Sequence, residues 1–280
     1  MIRYNRALLV GLFLIALASC GGGPTPLAVI ASSSGTIGVG EQRILVALVD
    51  PETTEYLASD DITATALIRD EDGTPLETVD LEFVWTVPDV RGVYSARVDI
   101  PAPGTYQLTV DAEGFGESGP SGFVAVESPP MVGPGDIAPA SETRVAADYP
   151  DLSVITSDPD PDERLYESSV SDVVANGRPS VILFATPAFC QTQACGPMLD
   201  QVKVLGDDYE AVDFVHVEVY EDLQVQSVEE LDVVDAVVEW GLPSEPWVFV
   251  IDGSGIVVAA FEGAVNDEEL VDILERLGAR

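Results

Sequence analysis

The sequence predicts an α/β unit in the C-terminal half, preceded by a small all-β unit. Three observations carry this. Residues 37–127 hold short alternating runs separated by turn signals, with no helical period. Residues 145–280 alternate buried strand patterns with helical ones, an order that implies parallel central strands. The two stretches are separated by "SPPMVGPGDIAPASE", rich in Pro and Gly, which reads as a linker over 128–144.

The N-terminus comes first in the chain. Arg3 and Arg6 precede an apolar run from Ala7 to Ala18, too short to span a bilayer, which takes roughly 20 such residues. Residues 1–19 therefore read as a signal peptide. Its ending, Leu17-Ala18-Ser19-Cys20, resembles the bacterial lipobox, which implies lipidation of Cys20 and a chain held at the outer face of a membrane. Residues 20–36, rich in Gly, Ser and Pro, would then be a flexible tether.

In the all-β unit, "DITATALIRD" alternates through Ile62, Ala64, Ala66 and Ile68, and Asp72-Gly73 marks a turn. "GVYSARVDI" and "GTYQLTVDAEG" follow as two more strands. This spacing predicts a small immunoglobulin-like sandwich of two antiparallel sheets. The unit contains neither cysteine nor histidine, so it offers a spacer or a docking surface rather than catalysis.

The chain carries 49 acidic and 12 basic residues, a formal charge of −37. Such a surface repels phosphate backbones and excludes nucleic acid as a natural partner. With Cys20 assigned to lipid, Cys190 and Cys195 are the only thiols left, and an oxidising compartment permits them to pair. A four-cysteine metal site is excluded.

In the second unit, Val181 to Ala185 is an unbroken apolar run, the mark of a strand buried on both faces. It leads into "TPAFCQTQACGP". Met198, Val202 and Leu205 then follow at helical spacing. "DFVHVEVY" is a second strand, residues 228–240 are helix-like, "PWVFVIDGSGIVVAAFEG" is a hairpin, and "DEELVDILERLG" is an amphipathic final helix.

A buried strand running to a cysteine pair at a helix start, followed by "EPWVFVIDGSG" and a terminal helix, resembles the thioredoxin superfamily. It is most similar to membrane-tethered members of the TlpA type. The resemblance covers about residues 145–280 and implies a thioredoxin-like α/β domain with a central sheet flanked by helices. It also implies that Pro246, after Glu245, is cis and borders the cysteines. The chain departs from the family in having four residues between the cysteines, and in placing Gly196-Pro197 after the second.

The spacing itself carries information. On one helix, residues five apart point about 140° away from each other, whereas a disulfide brings its Cα atoms within about 7 Å. Cys190 therefore belongs in the loop leaving the strand, and Cys195 in the first helical turn. A thiol near a helix N-terminus meets unpaired N–H groups that favour the thiolate. The resemblance implies that Cys190 attacks and Cys195 resolves, with protein dithiols or disulfides as partners and no cofactor.

Two other readings stand beside exchange: a structural disulfide in a scaffold that performs no catalysis, and a copper site of Cys190, Cys195 and His216, the chain's only histidine. His216 lies in a predicted central strand, where a histidine more often belongs to a core network. The strand before the cysteines lacks the buried acid often found beneath such a pair. Glu218, on the same strand face as His216, is the candidate proton relay. Trp240 and Trp247 are candidates for a groove or for the core. "DPDPDER" at 158–164 lacks the glycine and spacing of a calcium loop and reads as solvated.

Overall fold

The computed structural model describes residues 25–33, 35–224 and 231–278. The expected signal peptide and the expected lipid attachment at Cys20 lie outside these residues. Among the described residues no helix is long and apolar enough to cross a membrane.

The first unit is built from strands β1 (Leu27–Ile30), β2 (Gly40–Val49), β3 (Ala64–Arg69), β4 (Pro75–Val87), β5 (Arg91–Ile100), β6 (Gly104–Ala112), β7 (Gly116–Glu117) and β8 (Ser121–Ala125). They form one antiparallel sheet in the order β1-β2-β5-β4-β3-β6-β7, with β8 on β6. The long strand β4 pairs with β3 through Pro75–Leu81 and with β5 through Glu82–Val87, so the sheet bends along it. The curl brings its ends together: Gly119 N–H donates to the Pro26 carbonyl, next to β1. Ile44, Val46, Leu48, Ala66, Ile68, Tyr94, Val98, Leu108 and Val110 fill the inside of the curl. Burying each of the valine, leucine and isoleucine side chains among them is worth about 1.5–3 kcal/mol.

The second unit holds α1 (Val170–Ala175), β9 (Ser180–Ala185), α2 (Cys195–Asp208), β10 (Asp213–Glu218), α3 (Asp235–Glu239), β11 (Trp247–Ile251), β12 (Val257–Glu262) and α4 (Asp267–Arg276). Its sheet runs β10-β9-β11-β12. β9 is parallel to β10 and antiparallel to β11, which is antiparallel to β12. Every residue of β9 is buried. Val181, Leu183 and Ala185 face one apolar cluster with α2 and α4, and Ile182 and Phe184 face another with Trp240 and Phe249.

The expected fold class is corrected on both counts. The chain is mainly β: twelve strands against four α-helices among the described residues, with α1 and α3 only six and five residues long. The thioredoxin-like α/β class with parallel central strands gives way to a small mixed sheet in which two of the three pairings are antiparallel. The helical share was overestimated at residues 228–240, where among the described residues only Asp235–Glu239 are helical and Val233 instead pairs with Tyr220 as an isolated bridge. The small immunoglobulin-like sandwich of two sheets is likewise replaced by one curled sheet, because β4 crosses between what would have been separate sheets.

Composition also misplaced two connecting segments. Part of the expected tether is β1, paired with β2. The expected linker is a strap along the second unit. Gly135 and Ala138 N–H groups donate to the carbonyls of Val257 and Gly255, Val257 N–H donates back to Asp136, and Met131 and Ala138 enter the core. Gly241, at φ +67°, lies under this strap, where a Cβ would stand 2.6 Å from the Pro130 carbonyl oxygen.

The two units meet through a largely buried ion pair. Arg43 on β2 donates from Nε and Nη2 to the Glu269 carboxylate, at 3.1 and 2.8 Å, and its guanidinium lies 5.3 Å from the Phe261 ring centroid. Glu269 also caps α4 with Asn266, whose side-chain amide reaches the Phe83 carbonyl at 3.2 Å. Leu45, Ala47, Val84 and Val93 pack on Ala264 beside it. Removing Arg43 leaves the Glu269 carboxylate largely buried with only its capping contact to the Asn266 N–H. Arg43→Ala should therefore destabilise by about 3 kcal/mol, and the double variant Arg43→Ala/Glu269→Ala by less than the sum of the single losses. Urea denaturation followed by tryptophan fluorescence measures both.

Candidate functional site

β9 and β10 end together, with Glu218 opposite Ala185. From there the chain turns through Thr186–Phe189, where Phe189 N–H donates to the Thr186 carbonyl, and reaches Cys190 at the surface. A second turn closes with Gln193 N–H on the Cys190 carbonyl, and α2 begins at Cys195. Cys190 and Cys195 are disulfide-bonded with Cα atoms 6.0 Å apart. Cys190 is half-buried and Cys195 fully buried.

The start of α2 explains how sulfur is held. Its N-cap, Ala194, has no side chain to accept a first-turn N–H. Instead the Cys195 N–H donates to Cys190 Sγ at 3.3 Å, so the sulfur takes the place of a capping oxygen. Thr192 Oγ1 lies 3.3 Å from the same sulfur. Pro197, at the third helical position, lacks an N–H where the helix needs none. Met198, Leu199, Val202 and Leu205 anchor the helix in the core.

The loop is also held from the first unit. Arg91, at the start of β5, donates from Nη2 to the Thr192 carbonyl, and its guanidinium lies 5.6 Å from the Tyr56 ring centroid. Neither Arg91 nor Thr192 carried a sequence signal. Arg91 follows a turn in a unit without cysteine or histidine, and only the tertiary fold brings it to residue 192.

Glu218 is buried beneath the loop. Its Oε2 accepts from Ser157 N–H at 2.8 Å and from Ser157 Oγ at 2.6 Å, and Ser157 Oγ accepts from Ala188 N–H at 3.2 Å. Burial pushes the Glu218 carboxyl above the usual carboxylate range, against the pull of the Ser157 side chain. Burial, followed by the charge of Glu218, raises Glu245 as well. Tyr220 is raised by burial and then by Glu245 and Glu218, while Phe189 meets its ring edge-on at 6.1 Å. The Glu245–Pro246 peptide is cis. Pro246 precedes Trp247, which pairs with Phe184, so it stands at the end of the sheet from which the cysteine loop departs.

His216 belongs to a core network. It is buried, with Nε2 3.1 Å from the Ala185 carbonyl and Nδ1 2.7 Å from Tyr166 Oη, which in turn lies 2.9 Å from Thr156 Oγ1. A carbonyl only accepts, so Nε2 carries the proton and Nδ1 accepts from Tyr166. Both ring nitrogens are thus engaged. Among the described residues no three His, Cys, Asp or Glu side chains are grouped to hold a metal ion, so Cys190, Cys195 and His216 are not brought together as ligands. Trp240 and Trp247 are buried, their indole N–H groups donating to Ser141 and Ser244. In the 158–164 loop, Asp158 pairs at 2.6 Å with Lys203, the chain's only lysine, which also donates to the Asp160 carbonyl.

No family model matches the chain, and no curated protein sequence does. Solved structures give partial likenesses. A superoxide reductase (neelaredoxin) variant from Ignicoccus hospitalis is 10% identical and aligns with 36% of this chain and 82% of its own, at a TM-score of 0.23. A DUF4426 family protein from Pseudomonas aeruginosa PAO1 is 17% identical over 30% of this chain and 71% of its own, at 0.20. A metagenome-derived glycoside hydrolase family 9 endoglucanase is 15% identical over 45% of this chain and 26% of its own, at 0.22. Scores at this level establish no shared fold and bear on no chemistry of the cysteines.

Burial pushes the His216 imidazole from its ordinary 6.5 down to about 4, against the hydrogen bond to Ala185. Between these values the unfolded chain binds the proton and the folded chain does not, so this residue's contribution falls as pH drops from 6.5 to about 4. The loss amounts to roughly 3 kcal/mol at most. In His216→Gln this loss is absent, so the stability gap between wild type and variant should narrow across that window in urea titrations at stepped pH.

Proposed function

We propose that the protein is a thiol–disulfide oxidoreductase acting through Cys190 and Cys195. The observation that carries this reading is the asymmetry of the pair. The half-buried Cys190 Sγ receives the Cys195 N–H at the start of α2, and the buried Cys195 stands behind it. Donors aimed at a sulfur favour its thiolate. A staple is the weaker reading, because closing so short a loop is worth only about 2 kcal/mol by chain entropy.

In the reduced protein, the Cys190 thiolate attacks one sulfur of a substrate disulfide. A new S–S bond forms to Cys190, and the other substrate sulfur departs as a thiolate and takes a proton. The Cys195 thiolate then attacks Cys190 Sγ and displaces the remaining substrate sulfur. Two electrons pass from the dithiol to the substrate, and the reverse sequence oxidises a substrate dithiol. No cofactor takes part. Glu218, linked through Ser157 to the backbone of Ala188, is the proton relay in this reading, and Pro246 borders the substrate. The copper alternative loses its third ligand, since His216 has both nitrogens occupied.

The reading places the protein at the outer face of a membrane, anchored through lipid on Cys20, with protein dithiols or disulfides as partners. The lipobox-like ending and the unshared cysteine pair support that location.

Cys195→Ser should accumulate mixed disulfides with partner proteins, recovered on non-reducing gels and absent in Cys190→Ser. A reduction potential below about −300 mV, the range of structural disulfides, together with no trapped partner, would overturn the exchange reading. Cys20→Ser should release the protein from membranes into the soluble fraction.

A further inference from the structure

We propose that Arg91, carried by the antiparallel unit, is a positioning residue of the cysteine site: it fixes the loop between the two cysteines so that Thr192 and the start of α2 converge on Cys190. This deepens the exchange reading and rests on it.

The loop does not hold this shape by its own preferences. Gln193 sits at φ +61°, in the left-handed region that costs a residue with a Cβ roughly 1–2 kcal/mol. Gln191, Thr192 and Gln193 are all exposed, so no burial compensates. Beside the disulfide and the Gln193 N–H bond to the Cys190 carbonyl, a further hold comes from outside. Arg91 donates to the Thr192 carbonyl, and its guanidinium is itself placed over the Tyr56 ring. With that carbonyl pinned, the Thr192 hydroxyl stands 3.3 Å from Cys190 Sγ, and the Thr192 hydroxyl also lies 3.4 Å from the Ala194 N–H. The loop thus enters α2 with the Cys195 N–H aimed at the same sulfur.

The charge of Arg91 acts in the same direction. Ionisable groups near the loop include the carboxyls of Glu218, linked to it through Ser157, and of Glu245 before Pro246, with the neutral phenol of Tyr220 against Phe189 and the paired Asp158 and Lys203 farther along the Tyr166–His216 network. An ionised Glu218 or Glu245 carboxylate opposes a Cys190 thiolate, and Arg91 brings a cation to the loop. The four-residue spacing between the cysteines gives the first unit a carbonyl to grip, so that unit completes the site rather than serving only as a spacer.

The test uses the full chain with Cys195→Ser, in which Cys190 is free. Its thiolate is titrated by absorbance at ~240 nm, a wavelength at which thiolate absorbs and thiol does not, with the same titration of Cys190→Ala subtracted. Arg91→Ala should raise the Cys190 midpoint by about one pH unit, a tenfold loss of thiolate at a given lower pH. Arg91→Lys, which keeps the charge but not the planar fork, should recover part of that shift, and Thr192→Val should reproduce part of it with Arg91 in place. An unchanged midpoint in Arg91→Ala, with near-ultraviolet circular dichroism showing an intact fold, would overturn the proposal. If the wild type exchanges no protein disulfide while Arg91→Ala still moves the midpoint, the exchange reading falls and the placement of Arg91 stands.

Discussion

The two-faced burial of β9 is the constraint from which the site follows. Its six residues pair with β10 on one side and five of them, Ser180 to Phe184, with β11 on the other, while Val181 to Ala185 alternate between two separate apolar clusters. A slip of one residue would exchange Leu183 and Phe184 between cores of different shape, so the register is strongly specified. Once it is set, Glu218 must stand opposite Ala185 and His216 opposite Leu183. The chain must also leave the sheet at Thr186, with only four residues before Cys190. The geometry of the cysteines is inherited from a strand that carries no chemistry.

What the sequence made legible was local. The unbroken Val181 to Ala185 run marked a doubly buried strand, and the helical spacing after Cys195 marked α2. The 140° argument separated Cys190 into the loop and Cys195 into the helix, where the structure has them. What stayed hidden was set by tertiary contacts. The curl of the first sheet depends on β4 pairing with β3 along its first half and with β5 along its second, which alternation cannot reveal. The strap at 129–138 has the composition of a linker, yet its backbone groups pair with β12 and the residues before it. Arg91 looked like any surface arginine, because its partner is a main-chain carbonyl 101 positions away.

Electrostatics give the fold a common logic. With 49 acidic residues and 12 basic ones, each cation has an excess of partners. Several are placed at joints between elements. Arg43 joins β2 to α4, Arg91 joins β5 to the cysteine loop, Lys203 ties α2 to the 158–160 loop, and Arg178 binds Asp213 and the Glu210 carbonyl where β10 begins. The acids around Glu218 are held by burial and hydrogen bonds instead. Their raised pKa values follow from a site that keeps its carboxyls out of water.

The strap bears on how such a chain can change over evolutionary time. Modules that are shuffled between genes need a boundary that can be cut without cost. Here the segment that composition marks as the boundary is stitched into the second unit, and Ser33 near the N-terminal end of the first unit is bonded to Glu262 and Ser244 of the other. A recombination event at residues 128–144 would expose Met131 and Trp240 and strip Glu269 of its partner. The cysteine unit is therefore poorly suited to being inherited alone, and the two units should be found together, with insertions confined to loops away from their seam.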